Sequence, residues 1–193
     1  MDFVTFAIQL LNALQYGFLL FLVASGLTLI FGIMGIINLS HGSFYMIGAY
    51  LAWSFFNIFD NFWIAVIFSF LISILIGILL EKYLFSYLYN VDHLRQVLMT
   101  YGLILVIDSL RSIVWGDDVH GVEIPNIFDG AIQITETLSY PIYRIALSVI
   151  CLLVATGLFI IIKKTKLGMT IRAGSFDREM TQVLGINITI LYR

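Results

Sequence analysis

Asn38, Ser40, His41, Ser43 and Tyr45, side chains able to donate or accept hydrogen bonds, fall within "GIINLSHGSFYMIGAY" (35–50), inside a run, 3–59, that has no Asp, Glu, Lys or Arg. Gly35, Gly42 and Gly48 flank them. In an apolar setting such a cluster can line a path for a polar solute, or it can tie helices together by hydrogen bonds. Irregular backbone at membrane depth is tolerated only where it meets protein or a water-filled cavity, and transporters use discontinuous helices to place polar atoms at a substrate site. "NLSHGS" is then either a break near the middle of a crossing or the cytoplasmic turn between two crossings. His41 can carry a proton, border a pathway, or donate to a carbonyl in packing.

Other chemistries are excluded or weak. Ser40 and His41 are adjacent, so on a helix they point in different directions and make no nucleophile–base pair, and there is no Gly-x-Ser-x-Gly elbow. No Gly-x4-Gly-Lys-[Ser/Thr] phosphate loop is present, so the chain has no ATPase motif of that kind. His93 and His120 read as loop residues without metal-ligand spacing, and no metal site is expected. Asp108 and Arg111, three apart on one helix face, are intramembrane charges and so candidates for function. Trp115, one turn beyond, favours a structural pair reaching the outer surface.

These residues need a frame of lipid-embedded helices. Of 193 residues, 61% are hydrophobic and 11% charged, against about 45–50% and 25% in soluble domains. The apolar runs match the roughly 20 residues that cross a bilayer. The expected fold is all-α and polytopic, with five spans at about 3–24, 25–56, 63–80, 96–115 and 145–162, the second discontinuous. Residues 116–144 form an outer loop, in which "AIQITETLSYPIYRI", bounded by Gly130 and Pro141, suggests a hairpin.

Lys82 is the first Lys or Arg of the chain, so no cationic region precedes the first span, which is expected to be retained rather than cleaved. Cations mark cytoplasmic flanks. Six of the ten Lys and Arg residues lie in 163–193, and Lys82 and Arg95 lie in one earlier loop. This places 163–193 inside and the N-terminus outside, with the five acids Asp117, Asp118, Glu123, Asp129 and Glu136 in the outer loop. A net charge of −2 argues against nucleic acid as a partner. Cys151, the only cysteine, reads as a small buried hydrophobe.

After the fifth span, Phe176, Met180, Val183 and Leu184 recur at helical spacing and form one apolar face of a short helix. Ser175 is expected to cap it, and Gly185 to end it. Such a helix either lies in the headgroup layer or docks a soluble partner.

Three blocks resemble the permease subunits of bacterial ABC importers for branched-chain amino acids, the LivH type, including their urea and short-amide relatives. They are "GLTLIFGIMGIINLSHGSFYMIGAYLA" (26–52), "LRQVLMTYGLILVIDSLRSIVWG" (94–116) followed by "VEIP", and "KLGMTIRAGSFDREMTQVLGIN" (166–187). The resemblance implies an inner-membrane transport subunit, not an enzyme, working with a second permease subunit, ABC ATPase subunits that bind the ATP and Mg, and a periplasmic substrate-binding protein; this chain itself holds no cofactor. It implies a substrate pathway bordered by Asn38, Ser40, His41, Gly42, Ser43 and Tyr45, with Thr100, Tyr101 and Gly102 opposite. It also implies that the terminal helix couples to the ATPase, with Phe176, Met180, Val183, Leu184 and Gly185 seated in a groove and Arg172, Asp177, Arg178 and Glu179 fixing register. Family members continue into further spans beyond the coupling loop, so this sequence, ending at Arg193, is expected to be C-terminally truncated. A urea, amide or sugar permease of the same superfamily is the nearer alternative, and an ATP-independent transporter or channel the more distant one.

Overall fold

The computed structural model describes residues 3–89, 91–125, 127–135 and 138–187, with side chains for all of these except 3, 4, 33, 134, 135, 138, 178 and 179. Glu136 and Arg193 lie outside the described residues. The described chain is built from apolar α-helices: α1 (Phe3–Met34), α2 (His41–Phe59), α3 (Phe62–Tyr83), α4 (His93–Trp115), α5 (Ile142–Lys164), α6 (Lys166–Phe176) and α7 (Arg178–Val183). Four stretches, Thr5–Gly32, Phe62–Tyr83, His93–Trp115 and Ile142–Lys164, are long and apolar enough to cross a membrane. The fold is all-α and polytopic.

Contacts divide the chain into two compact units. The first comprises Met1–Gly26 and Glu123–Met169, the second Leu27–Val122 and Thr170–Arg193. In the first, strands β1 (Ala131–Thr135) and β2 (Leu138–Pro141) pair antiparallel, Ile132 opposite Tyr140, with a register shift between Gln133 and Thr135. This is the hairpin that the alternation around Gly130 and Pro141 predicts. It leads into α5, whose Arg144 donates from Nη1 to Asn12 Oδ1 of α1 at 2.6 Å. Cys151 is buried in α5, as a small hydrophobe. At the α5–α6 junction Gly168 packs against the carbonyls of Ile161 and Ile162 so closely that a Cβ would overlap them.

In the second unit α2 packs along α3. Phe55, Phe59 and Phe68 stack at one end, and Gly48 brings the helices to where a Cβ would lie 3.8 Å from Ser73 Oγ. Asn61 caps α3, its Oδ1 accepting from the backbone N–H of Trp63 and Ile64. A 3-10 turn, Phe85–Leu88, follows α3, and Phe85 and Leu88 bury against Ile36.

Two boundaries differ from the sequence reading. The division between 3–24 and 25–56 falls inside α1, which continues to Met34. Ser25 does not interrupt it because its hydroxyl donates back to Leu22 O at 2.8 Å, satisfying a polar group within the helix. At about 1.5 Å per residue this helix is about 48 Å long, and tilt or extension beyond the roughly 30 Å hydrocarbon core accommodates the excess. The interruption comes instead at 35–40, between α1 and α2. Gly35 ends α1 in the left-handed region, φ 65°, with its N–H on Phe31 O at 2.9 Å, a conformation that glycine adopts without steric cost.

Candidate functional site

The non-helical residues 36–40 carry backbone groups that no helix satisfies, and two side chains of α4 accept from two of their N–H groups. Gln96 and Thr100, one turn apart and therefore on one face, are both buried, 2% and 0% exposed. Gln96 Oε1 accepts from Ile37 N at 3.2 Å, and Thr100 Oγ1 accepts from Leu39 N at 3.3 Å and lies 3.4 Å from Ile37 O. Gln96 is itself fixed, its Nε2 donating to Leu88 O at 3.0 Å. Its Oε1 also lies 3.1 Å from His93 Nδ1. His93, expected in a loop, is the first residue of α4.

Asn38 folds the segment onto itself. Its Oδ1 accepts from Ser40 Oγ at 2.6 Å and from Ser40 N at 3.0 Å. Ser40 thus spends its hydroxyl on Asn38 instead of capping α2, while its carbonyl accepts from Ser43 N at 2.9 Å. Asn38 and Ser40 are buried, 3% and 0% exposed. The segment is level with the first two turns of α4, about 5 to 10 Å along a helix of about 35 Å at 1.5 Å per residue, so it lies toward the end that follows the 84–92 connection, not half-way along α4.

Of the other predicted pathway residues, His41 and Ser43 are half-buried and Gly42 is exposed. Tyr45 (63% exposed) and Tyr101 (52%) face outward from the buried network, and Gly102 is half-buried. Beside the network, in the same unit, a cavity of about 310 Å³ is lined by Asn38 and His41 on one side and Ser73, Gly77 and Glu81 on the other. Glu81, 5% exposed, holds Oε1 2.6 Å from the Tyr89 hydroxyl that donates to it. Sequence reasoning passed over both Glu81 and Gln96. The signal for Glu81 was its place in the last turn of α3, where the helix dipole favours a cation; for Gln96 it was the polar i, i+4 pair with Thr100 on an apolar span.

At the other end of α4 the charged pair is structural. Arg111 meets Asp108 at 3.0 Å and Asp117 at 2.7 Å, and its Nη1 donates to Gly116 O at 2.8 Å. Asp117 also accepts from Ser112 Oγ at 2.9 Å. That hydroxyl first, and the Arg111 guanidinium second, hold the Asp117 carboxyl below its ordinary range. Trp115 Nε1 donates to Ser54 Oγ at 2.7 Å, and His120 stacks on Trp53 with ring centres 3.9 Å apart.

The terminal region departs from the expected single helix. Ser175 lies within α6 and its hydroxyl donates to Arg172 O. Asp177 is the cap of α7, accepting from Met180 N at 3.0 Å. Phe176 therefore ends α6, while Met180 and Val183 belong to α7 and Leu184 follows it. All four are exposed, from 60% at Met180 to 95% at Phe176. Arg172 is exposed on α6, the side chains of Arg178 and Glu179 lie outside the described residues, and Gly185 closes α7 with φ 83°.

The profile of the family described as "Branched-chain amino acid transport system / permease component" matches residues 9–192. The chain belongs to this permease family. Among its relatives, the high-affinity branched-chain amino acid transport system permease protein BraD of Pseudomonas aeruginosa is 29% identical, over 93% of this chain and 62% of its own length. The corresponding LivH proteins of Salmonella typhimurium and Escherichia coli are 27% identical, over 96% of this chain and 64% of theirs. The chain thus spans less than two thirds of the length of these curated relatives. No solved structure matches it. As a member of a permease family with four helices long and apolar enough to cross a membrane, it is a multi-pass membrane protein.

Proposed function

We propose that this chain is the membrane subunit of an ABC importer that passes branched-chain amino acids inward across the bacterial inner membrane, driven by ATP hydrolysis on a separate subunit. The observation that carries this reading is the family match over 9–192, with relatives named as branched-chain amino acid permeases. A weakly charged path suits such cargo, because a zwitterion has no net charge to be offset in the membrane core. In this reading Asn38, Ser40, His41, Gly42, Ser43, Tyr45, Thr100, Tyr101 and Gly102 border the route. The N-terminus is outside and 163–193 is cytoplasmic. A periplasmic binding protein delivers the solute, a second permease subunit completes the route, and neither ATP nor metal is held by this chain.

The terminal region supports the coupling role. Phe176, Met180, Val183 and Leu184 present apolar surface that only lipid or a partner can cover, on two short helices whose junction is fixed by Asp177. ATP-driven closure of the ATPase pair would move these helices together and switch the spans between access to the two sides. Replacing Phe176 and Met180 by Glu should abolish co-purification of the ATPase while the protein still folds and inserts. Undiminished co-purification from that double variant would remove the coupling assignment. Charge reversal at Arg178 and Glu179 together is expected to weaken the same complex.

A further inference from the structure

A groove of about 720 Å³ runs between α1 and α5 in the first unit. Leu14, Gly17 and Phe21 of α1 face Leu152, Ala155 and Phe159 of α5 across it. The hydroxyl of Thr156, also in the lining, donates to Leu152 O at 2.7 Å, so its proton is spent within α5. Both helices belong to stretches long and apolar enough to cross a membrane, Thr5–Gly32 and Ile142–Lys164, which puts the groove at membrane depth. Hydrocarbon fills such a space, because water needs polar partners that this lining does not offer.

Length and charge decide which hydrocarbon. The lining extends from Leu10 to Phe21 on α1 and from Leu152 to Phe159 on α5, about 16 Å and about 10 Å of helix at about 1.5 Å per residue. One leaflet of a roughly 30 Å core is about 15 Å deep, so the groove has the reach of one acyl chain and is too short to seat a helix that crosses the whole core. Its place along α5 is marked on both sides. On one side Arg144 ties α5 to Asn12 of α1 at 2.6 Å. On the other, one turn beyond Phe159, stand Lys163 and Lys164, both exposed. The Lys163 ammonium lies over the Phe159 ring, 5.0 Å from its centre, which brings a cation to the mouth of the groove. A chain seated there ends beside positive charge, where a headgroup of net negative charge is favoured.

We propose that the α1–α5 groove is a lipid site that holds one acyl chain of an anionic phospholipid, whose phosphate pairs with Lys163 and Lys164 at the adjoining surface. The proposal goes beyond the permease reading and does not depend on which solute the chain carries. The tail fills the space that α1 and α5 leave between them, and the two lysines select the headgroup.

The test is native mass spectrometry of the full chain released from nanodiscs that hold equal amounts of phosphatidylglycerol and phosphatidylcholine. The wild type should retain one lipid per chain, with phosphatidylglycerol enriched about fivefold or more, the preference that the attraction of a single surface cation gives. Lys163→Gln combined with Lys164→Gln should remove the enrichment and leave a lipid of either kind bound. Gly17→Leu, where an added Cβ meets open space and the longer side chain enters the groove, should lose the retained lipid with helical circular dichroism unchanged. Ala155→Leu fills the groove from α5 and should act alike. Unchanged retention and enrichment in either groove variant that keeps its helical signal would overturn the site, since the cations would then attract headgroups without it. Equal retention of the two lipids by the wild type would overturn it as well, as would a second polypeptide retained in place of the lipid.

Discussion

Thr100 and Gln96 show what a single side chain does here: each accepts a backbone N–H that the break between α1 and α2 would otherwise bury without a partner. Leaving such a donor unsatisfied costs about 1–3 kcal/mol. Thr100→Val, which keeps the shape and loses the oxygen, should destabilise by about that amount, and Gln96→Ala by at least as much because Leu88 O also loses its donor. Thermal unfolding in detergent, with faster amide exchange at Ile37 and Leu39, is the check; unchanged exchange there would mean that the break holds its shape by itself. A second residue-scale prediction concerns Asp117. Its carboxyl is depressed by Ser112 and Arg111, so its contribution is complete above the ordinary carboxylate value of about 3.9 and is lost as pH falls through its own lower value. Asp117→Asn should remove this acid-dependent step from a tryptophan-fluorescence titration, while leaving the neutral-pH protein folded. At this scale the sequence made the cluster of Asn38, Ser40 and His41 legible, because polar types are conspicuous in an uncharged run. It did not reveal Gln96 or Glu81 as their neighbours, because proximity across about 40 to 60 positions of chain leaves no local spacing to read.

Among the elements, periodicity and turn chemistry showed through where a residue's own backbone decides the matter. Gly185 ends a helix in the left-handed region, and alternation between Gly130 and Pro141 forms the hairpin. Reading failed where only length or a small polar residue marked a boundary. The division at 24/25, set by the length of a crossing, falls inside α1, and Ser175 donates to a carbonyl three residues back, so Asp177 takes over the cap of α7. Asp177→Ala should therefore lower α7 stability by about 0.5–2 kcal/mol, seen as loss of amide protection over Met180–Leu184, whereas Ser175→Ala should leave it unchanged. Gly168→Ala must displace α6 from the end of α5, since its Cβ would overlap the Ile161 and Ile162 carbonyls. Exchange at Gly168 and Met169 should rise, and wild-type protection there would show that the junction is looser than its geometry.

Taken whole, the chain combines apolar helices, a polar segment held by α4, and an exposed apolar pair of short helices beyond α5. Composition alone reveals the membrane, since 11% charge leaves too few groups to solvate a water-facing surface. Substrate and partners are properties of an assembly, so only the family blocks point to them. The central proposal is that this chain carries branched-chain amino acids inward at the expense of ATP. The most direct measurement is initial-rate uptake of labelled leucine in cells deleted for this gene and in the same cells with it restored. The account predicts that restoration returns saturable uptake, competed by isoleucine and valine but not by urea, and abolished when cellular ATP is depleted. Leucine uptake of equal rate with and without the gene, or gene-dependent uptake that survives ATP depletion, would contradict it.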